Sequence, residues 1–171
     1  MKNILFIFKD EPWYLHHIVE KFRLGYNVQK YIVNENLKYT SKEITKNINK
    51  IIQNNNIKIV VFDFDYTSII DKYFVSEIVS EKKVLLSFDA EENIKKILSS
   101  YKVFSHYLII EPTIVKKINS LGRTALLMPL ETNEKLFCKK EIKKTIDVFF
   151  FGELKSDRKN YLDELKKTNI N

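Results

Sequence analysis

One apolar stretch constrains the fold of this chain more than any other: residues 57–66, with the sequence IKIVVFDFDY. Four of its first five residues are β-branched, and two carboxylates, Asp63 and Asp65, lie near its end. A run so apolar, without polar alternation, predicts a strand buried on both faces of a parallel sheet. In open α/β sheets, ligands bind beyond the carboxyl ends of such strands. The two aspartates are therefore expected at a functional site.

Strand-like and helix-like segments alternate along the rest of the chain. Strands are predicted at 3–8, 28–33, 83–88, 103–110, 124–128 and, as a seventh, in the segment DVFFFGE at 147–153. Apolar residues in the intervening segments recur at helical spacing, as at 69–79, 92–101 and 112–122. This alternation predicts an α/β fold: a Rossmann-like, mostly parallel sheet of six to seven strands with helices on both faces.

The boundaries of two helices are marked by specific residues. Thr40 and Glu43 have the spacing of a capping box at the start of one helix. Pro112 suits the first turn of another, and Gly122 suits its end. A polar stretch at 131–145 separates this βα array from the last predicted strand and helix. We therefore expect a Rossmann-like domain at 1–145. Residues 146–171 would begin a second domain, or form a C-terminal extension that packs on the first.

Composition narrows the classes of function. The net charge is +7, but the 29 basic residues are interleaved with 22 acids along predicted helices, without an arginine cluster or an aromatic platform. This pattern is typical of a solvated surface and argues against nucleic-acid binding, whereas peripheral contact with a membrane or an anionic substrate stays open. Cys138 is the only cysteine, which excludes a disulfide framework and a thiolate metal site.

Targeting and cofactor patterns are missing as well. The start of the sequence is unlike a signal peptide, and no segment approaches the roughly 18 apolar residues of a membrane span. We therefore expect a cytoplasmic protein. The three glycines are far apart in the sequence, so neither common type of glycine-rich phosphate loop is present.

Polar residues near predicted strand ends are the candidates for a site. They are Asp10, Trp13, His16, Asp65, Asp89 and Glu111. A histidine there could act as a base, and a tryptophan could stack on a sugar or a nucleobase. Each also has an ordinary structural interpretation: a surface histidine on a helix, an apolar cover over the sheet, and carboxylates that cap helices.

The segment VVFDFDYTSII resembles the first motif of the haloacid-dehalogenase-like phosphatases. The resemblance implies magnesium-dependent hydrolysis of a phosphate ester, with Asp63 as nucleophile and Asp65 as general acid. In that family the motif usually lies on the first strand and a later strand ends in paired acids. Here two strands precede the motif, and the later strands end in IIEPT, MPLET and FFFGE. We keep this function as an alternative.

From residue 84 onward, the order of elements resembles the N-terminal domain of a GT-B-fold glycosyltransferase, closest to the spore-maturation-type group. The spacing G-x-x-A-x-x-x-P-x-x-x-x-x-x-x-F is carried by Gly122, Ala125, Pro129 and Phe137. The strand DVFFFG with Gly152, followed by Ser156 and Arg158, resembles the start of the nucleotide-sugar domain.

The resemblance implies an acceptor-binding part of an enzyme that moves a sugar from a nucleotide-sugar donor to a glycan or protein acceptor, without a metal or other cofactor. The catalytic candidates are then His16 and Asp65, and Gly152 and Arg158 would face the donor phosphates. Acceptor binding would fall to Asp10, Trp13, Asp89 and Glu111. The rest of the donor domain would lie beyond residue 171, so the chain alone is expected to be inactive. A non-catalytic module that binds a small molecule or a partner protein is the other alternative.

Overall fold

The computed structural model describes residues 2–9, 22–23, 25–36, 39–63, 70–88, 90–91, 93–128 and 156–167. These residues contain six strands: β1 Lys2–Phe8, β2 Tyr26–Ile32, β3 Ile59–Asp63, β4 Lys82–Ser87, β5 His106–Ile109 and β6 Thr124–Leu127. The described helices are α1 Ser41–Asn54, α2 Lys72–Glu77, α3 Ile94–Ser99, α4 Pro112–Ser120 and α5 Ser156–Leu165. A short 3-10 turn, Asn34–Asn36, follows β2.

The chain divides into two compact units, Met1–Asn133 and Glu134–Asn171. The first contains the strands and α1 to α4, and α5 belongs to the second. The boundary predicted between residues 145 and 146, like the predicted seventh strand, lies outside the described residues. Both stay predictions.

The six strands form one parallel sheet in the order β2-β1-β3-β4-β5-β6. The first five follow the order 2-1-3-4-5, which is one of the two common arrangements of doubly wound α/β sheets, and β6 extends the sheet by one strand. The predicted α/β, Rossmann-like fold is therefore confirmed.

Apolar side chains fill both faces of the sheet. On one face, strand residues such as Leu5 and Phe62 pack against buried residues of the described helices α1 to α4. On the other face, Phe6, Val61 and Leu86 form a second cluster. Phe22, from a helical turn at residues 22–23, packs against that second cluster. Burial on both faces explains why the central strands lack polar alternation.

Hydrogen bonds at the helix ends explain where the helices begin. In the predicted capping box, the Glu43 backbone N–H donates to Thr40 Oγ1, and the Thr40 N–H donates to the Glu43 carboxylate at 2.8 Å. The helix predicted at 69–79 is shorter, because the Asp71 carboxylate accepts hydrogen bonds from the N–H groups of Tyr73 and Phe74. These bonds start α2 at Lys72.

The helix predicted at 112–122 starts at Pro112 and runs to Ser120 as α4. Gly122, which follows it, has a left-handed φ of 74°, a conformation that suits glycine at a helix end. The strand predicted at 103–110 is shorter in the structure. Val103 N–H donates to Ser100 O in the turn after α3, and β5 starts only at His106.

Candidate functional site

The strand order reverses between β1 and β3, and this reversal places the candidate site. The chain leaves β1 toward β2 on one side of the sheet, whereas β3 lies on the other side of β1. The last residues paired between the two strands are Ile7 and Phe62, so Phe8 and Asp63 follow side by side. We call this place, the carboxyl ends of β1 and β3, the switch point. Ligands of doubly wound folds bind at such a position.

Asp63 is the ionisable side chain that β3 brings to the switch point. It is opposite Leu86 of β4 in the register and is only 8% exposed, although it is a carboxylate at a strand end. Asp63 takes part in a polar or electrostatic interaction within the chain. A buried carboxyl group needs a hydrogen-bonded or charged partner to offset its desolvation, so the position of Asp63 is specified by the fold and is not that of a solvated surface acid.

The loop after β2 forms one wall of the switch point. The backbone N–H of Val33 donates to Phe8 O at 2.8 Å, and the N–H of Asn34 donates to Lys9 O at 2.9 Å. Asn36 Nδ2 then donates to Ile32 O at 2.8 Å, which holds the 3-10 turn against the end of β2. Lys9 follows Phe8, the neighbour of Asp63 on β1, and Asn34 follows β2 on the far side of β1, two strands from Asp63.

Glu111 is the predicted site residue that the structure describes in full. It is half-buried and occupies the N-cap position of α4, just after β5, without a capping hydrogen bond from its side chain. Its strand is two places from β3 in the sheet, which corresponds to roughly 10 Å. Glu111 thus lies at the predicted edge, across β4 from Asp63.

The other predicted site residues lie wholly or partly outside the described part of the chain. Arg158 lies in α5, but its side chain is outside the described part of the chain. The remaining positions fall outside the described residues altogether: Asp10, Trp13, His16, Asp65, Asp89 and Gly152. In sequence, residues 10–21 directly follow the described end of β1, and residues 64–69 directly follow β3. The roles assigned to these residues stay predictions.

Two residues at this edge were missed by the sequence analysis as site candidates. Lys9 directly follows β1, and Ser87 ends β4 fully buried, with an interaction inside the chain. Both are the first polar residue after an apolar run, as Asp63 is. That pattern could have identified them.

The described residues carry neither a metal cluster nor a membrane span. No three His, Cys, Asp or Glu side chains come together as ligands within the part of the chain that the structure describes. None of the described helices has the length and apolar character to cross a bilayer. Along the carboxyl ends of β2, β1, β3 and β5, the described residues place an amide, a lysine, a buried carboxylate and a second carboxylate, which are groups that bind hydroxyls and polar small molecules.

No protein-family model matches the chain, and comparisons with curated proteins and with solved structures found no match either. The resemblance to glycosyltransferases therefore depends on the sequence motifs alone.

Proposed function

We propose that the first unit binds a hydroxyl-rich acceptor at the switch point and is the acceptor-side part of a glycosyltransferase. The observation that carries the proposal is the position of Asp63. It is a buried carboxylate at the end of the central strand β3, where the strand order of a parallel sheet reverses. The motif order from residue 84 to Arg158 supports the sugar-transfer part of the proposal.

The chemistry of transfer needs a base for the acceptor hydroxyl. A carboxylate or a histidine within hydrogen-bond reach takes the proton as the hydroxyl oxygen attacks the anomeric carbon of the donor, and the nucleoside diphosphate leaves. Asp63 and Glu111 orient the acceptor in this proposal, and His16 or Asp65 is the base. In the enzymes that the chain resembles, the donor domain stabilises the charge that develops on the leaving diphosphate, and this is the role expected of Gly152 and Arg158.

The position of Asp63 also favours one competing function, a phosphatase. A carboxylate at the end of a central strand can attack the phosphorus of a phosphate monoester as a nucleophile. The P–O bond to the leaving alcohol breaks, Asp65 supplies the proton to that alcohol, and water then hydrolyses the aspartyl phosphate. In this case turnover requires magnesium. A non-catalytic binding module would bind its ligand at the switch point without any turnover.

A glycan array probed with the labelled full chain tests the proposal. We expect binding to a restricted group of glycans, weakened about tenfold or more by Asp63→Asn, since a hydrogen bond to a charged group is worth about 1.5–3 kcal/mol. The matched control is Glu81→Gln, which removes the same charge at the opposite edge of the sheet, where Glu81 is paired with Lys58. It should leave glycan binding unchanged.

Hydrolysis of p-nitrophenyl phosphate separates the two enzymatic functions. The glycosyltransferase proposal predicts no turnover by the full chain with magnesium. If the chain shows turnover that Asp63→Asn abolishes and Glu81→Gln preserves, the glycosyltransferase proposal is wrong and the protein is a phosphatase. Because Asp63→Asn could alter folding, both variants are first compared with the unsubstituted chain by circular dichroism and thermal unfolding. Glu111→Gln, at the same edge, gives an independent test of glycan binding.

A further inference from the structure

A pocket lies at the amino-terminal ends of the strands, opposite the end of the sheet that carries the switch point. It has a volume of about 490 Å³ and is lined by the starts of β1, β3 and β4. The register places Ile59 between Ile4 and Lys82 on neighbouring strands. Lys2 and Lys58 lie at the same end of their strands, so three lysines from three adjacent strands surround one pocket. We call it the lysine pocket.

The charge of the lysine pocket is not neutralised by its own side chains. Lys58 forms an ion pair of 2.8 Å with Glu81, the acid that lines the pocket. Among the described residues, neither Lys2 nor Lys82 has an ion pair. Two ammonium groups are therefore left to attract an anion, and the carboxylate that would repel it is already paired.

The wall behind these lysines is held by backbone and amide hydrogen bonds. Asn3 Oδ1 accepts from Asn27 Nδ2 at 3.0 Å, and Asn3 Nδ2 donates to the carbonyl oxygen of Asn55. Asn56 has a left-handed φ of 47°, which turns the chain from α1 into β3. The backbone N–H of Ile57 donates to Ile52 O at 2.9 Å and closes this turn. The pocket therefore has a fixed polar wall and a cationic rim.

We propose that the lysine pocket binds a small anion that carries two linked phosphate groups. Lys2 lies on β1 and Lys82 on β4, and these strands are two places, or roughly 10 Å, apart in the sheet. The two long side chains can bridge this distance and contact both phosphates of a diphosphate. Lysine binds phosphate as a point charge, and asparagine amides of the wall can donate hydrogen bonds to its oxygens. The volume lies within the usual range of small-molecule sites.

The shape of the pocket selects a small ligand over a nucleic acid. No aromatic side chain lines it, so the described residues offer no surface on which bases could stack. The pocket lies at the edge where the strands begin, whereas the switch point lies where they end. The inference is therefore independent of the function proposed above, and each can fail without the other.

Titration calorimetry of the full chain with inorganic pyrophosphate tests this site. We expect saturable binding of one pyrophosphate, and weaker binding as sodium chloride is raised, because exposed charges are screened. The double variant Lys2→Gln/Lys82→Gln should weaken binding about tenfold, since it removes the two unpaired ammonium groups that attract the anion. The matched control, Lys42→Gln/Lys46→Gln, removes the same charge from exposed positions of α1 and should bind as the unsubstituted chain does.

Two results of the pyrophosphate titration would overturn the proposal. One is the absence of saturable pyrophosphate binding. The other is an equal loss in both double variants, which would show attraction to the net charge of +7 and no site. A short single-stranded oligonucleotide is titrated in parallel. Oligonucleotide binding that is tighter than pyrophosphate binding, and that is lost equally in both double variants, would also overturn the proposal. Circular dichroism checks that the two double variants, and the single variants Lys2→Gln and Lys82→Gln, are folded.

Discussion

Lys83 Nζ donates a hydrogen bond of 2.8 Å to the carbonyl oxygen of Val75 and a second, of 3.2 Å, to Ser76 O. Lys83 lies on β4, and these two carbonyls belong to the last turn of α2. Partial burial of the ammonium group lowers the pKa of Lys83 from its usual value. The side chain thus ties the end of a short helix to the sheet with a charged donor.

Lys83→Met is expected to destabilise the protein by about 1 kcal/mol. The substitution keeps an apolar stem but removes two hydrogen bonds, each worth about 1 kcal/mol, and this loss is partly offset because an ammonium group no longer has to be desolvated. Urea unfolding measures the change in the free energy of unfolding. The control is Lys82→Met, at the exposed neighbouring position. Equal effects of the two substitutions would contradict a role of Lys83 at the end of α2.

Two buried tyrosines are expected to respond in opposite ways to loss of the hydroxyl. Tyr107 donates a hydrogen bond of 2.9 Å to Tyr101 O, whereas the hydroxyl of Tyr31 has no hydrogen-bond partner within the described residues. Tyr107→Phe should cost about 1 kcal/mol, and Tyr31→Phe should be neutral or stabilising by up to about 1 kcal/mol. Thermal unfolding of the two variants checks this. Destabilisation by Tyr31→Phe would show that its hydroxyl is bonded.

Alkaline pH should weaken the fold through Tyr107. Burial raises the pKa of its hydroxyl to about 12, against a nearby Arg123 charge that lowers it. In the unfolded chain the group ionises near pH 10. The folded state keeps this proton to a higher pH than the unfolded chain does. The contribution of Tyr107 to stability is therefore complete below pH 10 and is lost as pH rises from 10 to 12. Unfolding free energies measured across that range should fall less steeply in Tyr107→Phe. An unchanged slope would contradict the burial of this hydroxyl.

The capping box of α1 should stabilise the helix measurably. Hydrogen bonds from the Thr40 backbone and side chain lower the pKa of the exposed Glu43 carboxyl. Thr40→Ala removes the side-chain cap and should cost about 1 kcal/mol. The contribution of Glu43 is present above its unfolded pKa and is lost as pH falls through the lowered folded value. Thr40→Ser, which keeps a capping hydroxyl, should retain most of the stability. If it behaves as Thr40→Ala does, the cap is not the cause.

The buried strands were predictable from sequence because burial on both faces removes polar residues from them. β3 falls inside the predicted stretch 57–66, and its residues Val60, Val61 and Phe62 are at most 1% exposed. The same logic fails at β6. Leu126 and Leu127 form an equally apolar run, but they are 55% and 52% exposed, since β6 is the last strand of the described sheet. Local composition cannot show how many neighbours a strand has.

The strand order could not be predicted from the sequence. For that reason, the arrangement of the candidate site could be predicted only in part. Alternation of strands and helices indicates a parallel sheet, but it does not say to which side each crossover goes. Asp63 and Glu111 both follow strands at the predicted edge, yet only the order β1-β3-β4-β5 shows that they are two strands apart. The position of Phe8 beside Asp63 likewise depends on the pairing of strands that are distant in sequence, which no local pattern contains.

The position of the ligand site is tested most directly by amide chemical-shift mapping. The isotope-labelled full chain is titrated with the strongest glycan from the array. We predict shifts centred on the backbone amides of Phe8, Lys9 and Asp63 at the switch point, and no shifts at Lys58 and Glu81 at the opposite edge. Shifts confined to the opposite edge, or spread evenly over the surface, would contradict the central claim that this fold binds its acceptor where its strand order reverses.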